Sequence, residues 1–500
     1  MKKRTLGQQM MAHGGVYALS RFVNNGIGFL LIPIYAYLIG DEGYGIISLM
    51  MTVGAAAGYI MLQGLPAAWY RLRFDQKTPA ELKIFETTIT WYLFGSIIIG
   101  IAVISLFGER LAPIITRDVP FFPLGLLTII TAGLLAFPDL YQRKLQAEQR
   151  SITFAAFTAL RALLVPGAII IFVVVLRQEV LGKMKADVIS AAGLTIVALV
   201  LLRPGSPRLF SLQKLRRSLA YGWPVIPHHL AGLANDLIDR ILINYFLGLG
   251  YTGVYSMGYK IASIGMMLAV AINQAFSPLF YSTMKQVEQF QKQKNTDQSD
   301  KALRSIARGA LLMIVTISLC LLAVTACARE ILLVVTPAEF DKSWTVIPLV
   351  AAGVLALTCY FPLGTAVMYN SRRVHLMPII SGLAAAINIT ANIYLIPRFG
   401  IIGAAWATLL SNIVMALVAW YLGQKSTFIP HPWKKWILVI FVCFLGLAGL
   451  WAADLIINNL FLRMAIKLPW AAACILFIIW TTNYKISDIR KFISPEKTIK

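Results

Sequence analysis

The sequence predicts an all-α polytopic membrane protein. About 14 transmembrane helices form two pseudo-symmetric six-helix lobes, with two C-terminal helices appended. Three observations carry this. Apolar stretches of bilayer length cover most of the chain, Lys and Arg gather in every second gap between them, and the second half repeats the pattern of the first. Hydrophobic residues make up 58% of the 500, more than a soluble fold of that length withdraws from water.

The expected spans are Gly14–Ile39, Tyr44–Ala67, Phe85–Phe107, Phe122–Tyr141, Ile152–Leu176 and Val188–Leu202 in the first group. The second group is Trp223–Leu247, Gly253–Pro278, Ala307–Ala326, Trp344–Met368, Leu376–Pro397 and Ile402–Leu422, and Trp436–Ile456 and Met464–Trp480 follow. Each approaches the roughly 20 residues a helix needs to cross hydrocarbon. Pro33, Pro166, Pro224, Pro227 and Pro348 fall inside spans, where neighbouring helices or water can satisfy the freed carbonyls. Strand alternation is absent from the sequence, which excludes a β-barrel.

Loop charge sets the orientation. Lys2, Lys3 and Arg4, Arg71 to Lys83, Arg143 to Arg150, Arg203 to Arg217, and Lys285 to Arg308 fall on one side. Arg110, Arg117, Arg177, Lys183, Lys185, Arg329, Lys342, Arg398, Arg463 and Lys467 fall on the other. The bias is roughly three to one, which places both termini in the cytoplasm. The formal net charge of +23 is therefore spread over membrane loops, with no soluble domain to hold a duplex, so nucleic acid is not an expected partner. The opening MKKR and its apolar segment resemble a secretory signal, but the segment carries Arg21, Asn24 and Asn25 and reads as a retained helix. The five cysteines lie in or at the edge of apolar segments at irregular spacing, and read as packing residues rather than metal ligands or disulfides.

The repeat is visible at an offset of 208. Tyr37, Gly40, Gly45 and Ser48 of YLIGDEGYGIIS fall on Tyr245, Gly248, Gly253 and Ser256 of YFLGLGYTGVYS. Each block is a tight outer turn joining the first two spans of its group. Phe137-Pro138 and Phe361-Pro362 match at 224, the extra length coming from the polar stretch 285–301, which reads as flexible. The expected domains are residues 1–207, 208–424 and 425–500. At 209–220, LFSLQKLRRSLA reads either as an amphipathic surface helix with Lys214, Arg216 and Arg217 against anionic headgroups, or as an ordinary charged loop.

An ionisable group in hydrocarbon costs at least a few kcal/mol, so it normally faces a partner or a watery cavity. Arg21, Arg161, Arg240 and Lys260 fall within spans, as do His228, His229, Asp236 and Asp239. One reading makes Asp236–Arg240 a self-neutralising i, i+4 pair and has Arg21 snorkel to the cytoplasm. The other makes Arg21, Arg161, Arg240 and Lys260 lumen cations for an anionic cargo. Asn25, His229 and Asp236 are then polar or coupling candidates, His229 because imidazole titrates near neutrality. Glu86 and Asp139 lie at cytoplasmic span edges, where interfacial exposure explains them. Gly248-Leu-Gly250-Tyr-Thr-Gly253 satisfies GxGxxG, but it follows a membrane helix rather than a strand, so its glycines serve the turn. No motif calls for a cofactor, a metal or an enzyme's catalytic set.

GDEGYGIISLMM (40–51), GLPAAWYR (64–71), DRILINYFLGLGYTGVYSMGYKIA (239–262), AFSPLFY (275–281) and RFGIIGAAWATLLSN (398–412), with Arg21 and Asn25 on the opening helix, resemble the Wzx-type polysaccharide transporter family. Its superfamily also holds multidrug-and-toxin exporters and the lipid II flippase. The resemblance implies a two-lobed helix bundle in the bacterial inner membrane. It implies a cargo of oligosaccharide on a polyprenyl (undecaprenyl) diphosphate, moved outward by alternating access for surface polysaccharide. Membrane lipids, H+ or Na+ as coupling ion, and a polysaccharide polymerase are the implied partners. A lipid II-type flippase and a multidrug antiporter are the rival readings. A cationic interior suits an anionic cargo better than it suits a drug cation.

Overall fold

The computed structural model describes residues 26–223, 225–370 and 373–484, apart from the side chains at 225, 228, 236 and 374. Arg21 and Asn25, and the side chains of His228 and Asp236, lie outside this set. Among the described residues there are helices and turns and no strand. Twelve helices are long and apolar enough to cross a membrane, and every one of the expected spans overlaps a helix.

The described residues fall into two compact units, 12–253 and 254–500. In the first, α1 (Ile32–Leu62) turns back at Gly40, whose φ of 74° suits glycine. It therefore holds the end of the first expected span and all but the end of the second. After the short α2 (Leu65–Leu72), α3 (Pro79–Ile115) is capped by Thr78, whose side chain accepts from Glu81 N, while the Glu81 carboxylate accepts from Lys77 N. α4 (Phe121–Ala147), α5 (Ser151–Val175) and α6 (Glu179–Leu202) complete the first group of spans. Trp69, Phe85, Leu93, Phe137, Tyr141, Phe154, Phe157 and Leu194 interlock in its core. Lipid tails are as apolar as these side chains, so close packing rather than water exclusion holds the helices together.

The segment after α6, where the first expected domain gives way to the second, is fastened to the first unit. Lys83 Nζ donates to Arg203 O, Gly205 N to Thr87 Oγ1 at 2.9 Å, Trp91 Nε1 to Gly205 O at 3.0 Å and Ser211 N to Thr88 Oγ1 at 3.0 Å. Of the two readings of 209–220, the structure shows the helix: α7 (Leu212–Gly222), with Leu215 and Ser218 buried. Its cations do not all go to headgroups. Lys214 bonds Gln76, and Arg217 pairs with Asp75 at 2.8 Å. Gly222 lies so close to Gly64 that a Cβ on the latter would sit 2.2 Å from a carbonyl oxygen. α8 (Val225–Leu247) then packs on α1, Ile241 joining Ile47, Leu49 and Met50. Division by contact thus falls at Gly253, some 46 residues beyond the division by repeat near 207.

α9 (Leu249–Lys292) carries the chain into the second unit and is followed by α10 (Thr296–Val335). The polar stretch expected to be flexible is instead a helical hairpin. It turns only at 293–295, with Met284, Val287 and Ile306 buried and a Lys301–Asp297 pair at i, i+4. α11 (Ala338–Tyr369) is buried nearly all round, as a helix apolar on every face should be. α12 (Met377–Phe399) and α13 (Ile401–Ser426) pack on it, Asn412 Nδ2 donating to Gly353 O at 3.2 Å. α14 (Trp433–Ile456) and α15 (Leu460–Thr482) dock on α10 where Gly446 meets Leu322 and Cys474.

Candidate functional site

Arg161 is the expected site residue whose surroundings are clearest. Along α5, Ile152, Ala156, Ala159 and Leu163 form one exposed stripe, Ile152 at 82% and Leu163 at 74%. At 100° per residue Arg161 lies opposite, on the face of buried Phe154, Phe157 and Thr158. It is nevertheless only half-buried, and it makes no ion pair or hydrogen bond with any described residue. A guanidinium turned from the exposed stripe and unneutralised by any described residue calls for water or an anion.

Arg240 behaves differently. It is buried, and Nη1 donates to Asp239 Oδ1 at 2.6 Å. The expected i, i+4 partner Asp236 has a side chain outside the described residues, so the neighbouring Asp239 is the observed counter-ion. His229 is half-buried and stacks on Tyr59, with ring centroids 5.2 Å apart and planes 12° apart. Lys260 lies in the second unit, half-buried on α9 among buried Tyr255, Met257, Ile261 and Ala262. Of the expected cations, Arg161 and Arg240 thus share the first unit without sharing an interaction, Lys260 belongs to the second, and Arg21 lies outside the described residues.

Three polar constellations were not expected. In the first unit, Lys183 pairs with Asp187 one turn on, Asp187 lies within electrostatic reach of Tyr35, Tyr35 and Tyr44 have ring centroids 6.2 Å apart, and Arg240 acts on Tyr44. Lys183 was counted as an outer-loop cation. α6 begins at Glu179, nine residues before the expected span, which draws Lys183 into the helix and buries it. The signal available was the i, i+4 spacing of Lys183 and Asp187.

The second constellation joins Arg73, Glu86, Lys144 and Glu148. Glu86 accepts from Arg73 and from Lys144 Nζ at 3.0 Å, and Arg73 also donates to Glu148 at 2.9 Å. Interfacial exposure was the expected account of Glu86. Its side chain is 12% exposed and neutralised on both oxygens, so ion pairing explains it instead.

The third is in the second unit. Lys467 Nζ bonds Glu330 Oε2 and Asp454 Oδ1, both at 2.9 Å, and Arg463 Nε bonds Glu330 Oε1 at 2.9 Å. Arg463 and Lys467 are fully buried in α15, although both were counted as outer-loop cations.

A model of the polysaccharide biosynthesis protein family matches residues 11–284. A probable flippase, AglR, from Haloferax volcanii is 28% identical over 203 residues, covering 40% of this chain and 39% of that protein. An uncharacterized membrane protein, MJ1068, from Methanocaldococcus jannaschii is 25% identical over 261 residues, 51% and 48% of the two chains. The chain thus spans less than half the length of these curated relatives. Among solved structures, the lipid II flippase MurJ in an inward closed conformation aligns with a TM-score of 0.66 at 13% identity, over 93% of this chain and 97% of that one. An inward-facing multidrug resistance MATE family transporter aligns at 0.57 and 16% identity, over 82% and 97%. These likenesses show the all-α fold that the two solved proteins share. The matched family model spans more than half of the residues, and the chain belongs to the polysaccharide biosynthesis protein family.

Proposed function

We propose that this protein flips polyprenyl-diphosphate-linked oligosaccharide from the cytoplasmic to the outer leaflet of a bacterial inner membrane, by alternating access of its two repeats, for surface polysaccharide assembly. Arg161 is the observation that carries the reading: a cation within a membrane helix, turned from the exposed stripe and unneutralised by any described residue. A diphosphate supplies the missing charge through charge-assisted, bidentate hydrogen bonds. Family membership and the probable flippase among the relatives support the same cargo class. Lys260 is proposed as a second contact and Arg21 as a third, with Asn25, His229 and Asp236 as candidates for coupling to H+ or Na+. Arg240, whose charge is already met by Asp239 on its own helix, is proposed as a weaker contact than Arg161. Residues 1–207, 208–424 and 425–500 remain the proposed evolutionary divisions, with both termini in the cytoplasm.

The test is deletion of the protein followed by leaflet-specific labelling of the lipid-linked oligosaccharide. Accumulation on the cytoplasmic leaflet is expected. An unchanged distribution between leaflets overturns the reading.

A further inference from the structure

The C-terminal half of α9 carries two stripes, both within the second unit. Phe276, Phe280, Met284 and Val287 form the buried one. At 100° per residue Gln274, Ser277, Tyr281 and Glu288 fall within about 60° of one another, directly beside it. Gln274 lies inside the expected span Gly253–Pro278, yet it is exposed and makes no hydrogen bond with any described residue. An amide left bare to lipid tails costs free energy, so the stripe that carries it faces water.

α11 ends against this stripe. Tyr369, its last residue, has its ring centroid 5.6 Å from that of Tyr281 and 6.0 Å from that of Phe280. The Tyr369 hydroxyl donates to Glu288 Oε1 at 2.6 Å, and Oε2 has no partner among the described residues. The planes of Tyr281 and Tyr369 are tilted by 47°, so neither ring covers the other. Both tyrosines are half-buried, while Glu288 is exposed. A tyrosine that only marks the membrane boundary turns its hydroxyl to the headgroups. Tyr369 instead gives its hydroxyl to another helix, which sets the angle of its ring and steers the carboxylate.

We propose that Tyr281, Tyr369 and Glu288 form a subsite for one sugar ring of the cargo, with Gln274 as the next polar contact along the same stripe. The inference rests on the transport reading for its cargo. A sugar ring has a face of C–H groups and a rim of hydroxyls. The negative face of a tyrosine ring attracts those C–H groups. A carboxylate oxygen accepts short, strong bonds from the hydroxyls, and an amide both donates and accepts. The same carboxylate repels a diphosphate, so this subsite takes the neutral part of the head group and leaves the charge to the cations. On the proposed orientation it lies at the cytoplasmic end of α11, where the head group enters.

The test uses the full-length protein in lipid nanodiscs. The probe is the oligosaccharide released by mild acid from the lipid-linked pool of the cells that make the protein, so that neither lipid nor diphosphate remains. Saturation-transfer NMR with irradiation of aromatic resonances should mark the C–H protons of one sugar. Tyr281→Leu should abolish that transfer, and Glu288→Gln should weaken binding about tenfold. Glu288 is exposed, so Glu288→Gln should melt as the wild type does, and it decides the matter should Tyr281→Leu misfold. Wild-type binding by Glu288→Gln overturns the subsite. So does a wild-type protein that translocates the lipid-linked form without binding the released oligosaccharide, and the transport reading then stands. Neither binding nor translocation by the wild type overturns both.

Discussion

Buried charge is handled in opposite ways on α5 of the first unit and on α15 of the second. Arg161, on the packed face of α5, has no counter-ion among the described residues, whereas Arg463 and Lys467 on α15 are locked against Glu330 and Asp454. Removing a charge from water costs several kcal/mol, which close counter-ions offset only when the geometry is good. A neutralised cation therefore holds helices in place, and an unneutralised one is kept for something that arrives. Burial alone does not distinguish a binding cation from a structural one; its counter-ion does.

The largest expected effect breaks the neutralised side. Lys467→Met leaves two carboxylates without their shared ammonium, and should cost about 3–5 kcal/mol of stability. Thermal unfolding in detergent measures this, and an unchanged midpoint would mean that the quartet holds nothing together. A similar contrast exists between another pair of sites in the two units. The first unit has the Arg73–Glu86–Lys144 ion pairs, while the second has His431 buried against Trp433 and Trp436, with ring centroids 5.1 and 4.9 Å away. Burial pushes His431 down to about 4 from 6.5. The unfolded chain therefore takes up the proton first. The contribution is complete above pH 6.5 and lost as pH falls towards 4, by about 3 kcal/mol in all. Melting followed across that range should show the loss, and His431→Phe should flatten it; parallel slopes would assign the pH dependence elsewhere.

Arg161→Ala sharpens the comparison in the other direction. It removes no ion pair within the described residues, so melting should hardly move while translocation is lost. A fall in stability with transport intact would make Arg161 structural. The smallest effect is expected at Arg217→Ala. Its pair with Asp75 is solvent-exposed, and five further hydrogen bonds hold residues 203–214 in place, so melting and transport should both stay near wild type.

The helices were legible because hydrocarbon imposes one length and one composition on them, and the breaks at Gly40 and Gly248 because glycine spacing recurs at the 208 offset. The sites were legible in part. Arg161 stands out locally as a charge in an apolar run, but the Glu330, Asp454, Arg463 and Lys467 quartet does not, since Glu330 lies more than a hundred residues from the other three and each looks like a helix end. Lys183 was misplaced for the same reason: a basic residue near a span boundary reads as loop until the helix is seen to extend past it. The hairpin at 285–301 was misread from composition, because Val287 is the one large apolar residue buried within it, and Met284 and Ile306, which its two helices also bury, lie just outside.

The central claim is that an unneutralised cation on the packed face of α5 receives an anionic lipid-linked head group. Translocation of a fluorescent polyprenyl-diphosphate oligosaccharide in reconstituted vesicles tests it most directly, comparing wild type with Arg161→Ala at equal protein content and matched melting. Transfer between leaflets by the wild type and none above protein-free vesicles by the variant is the predicted result. Equal transfer by both proteins, or none by either, would contradict it.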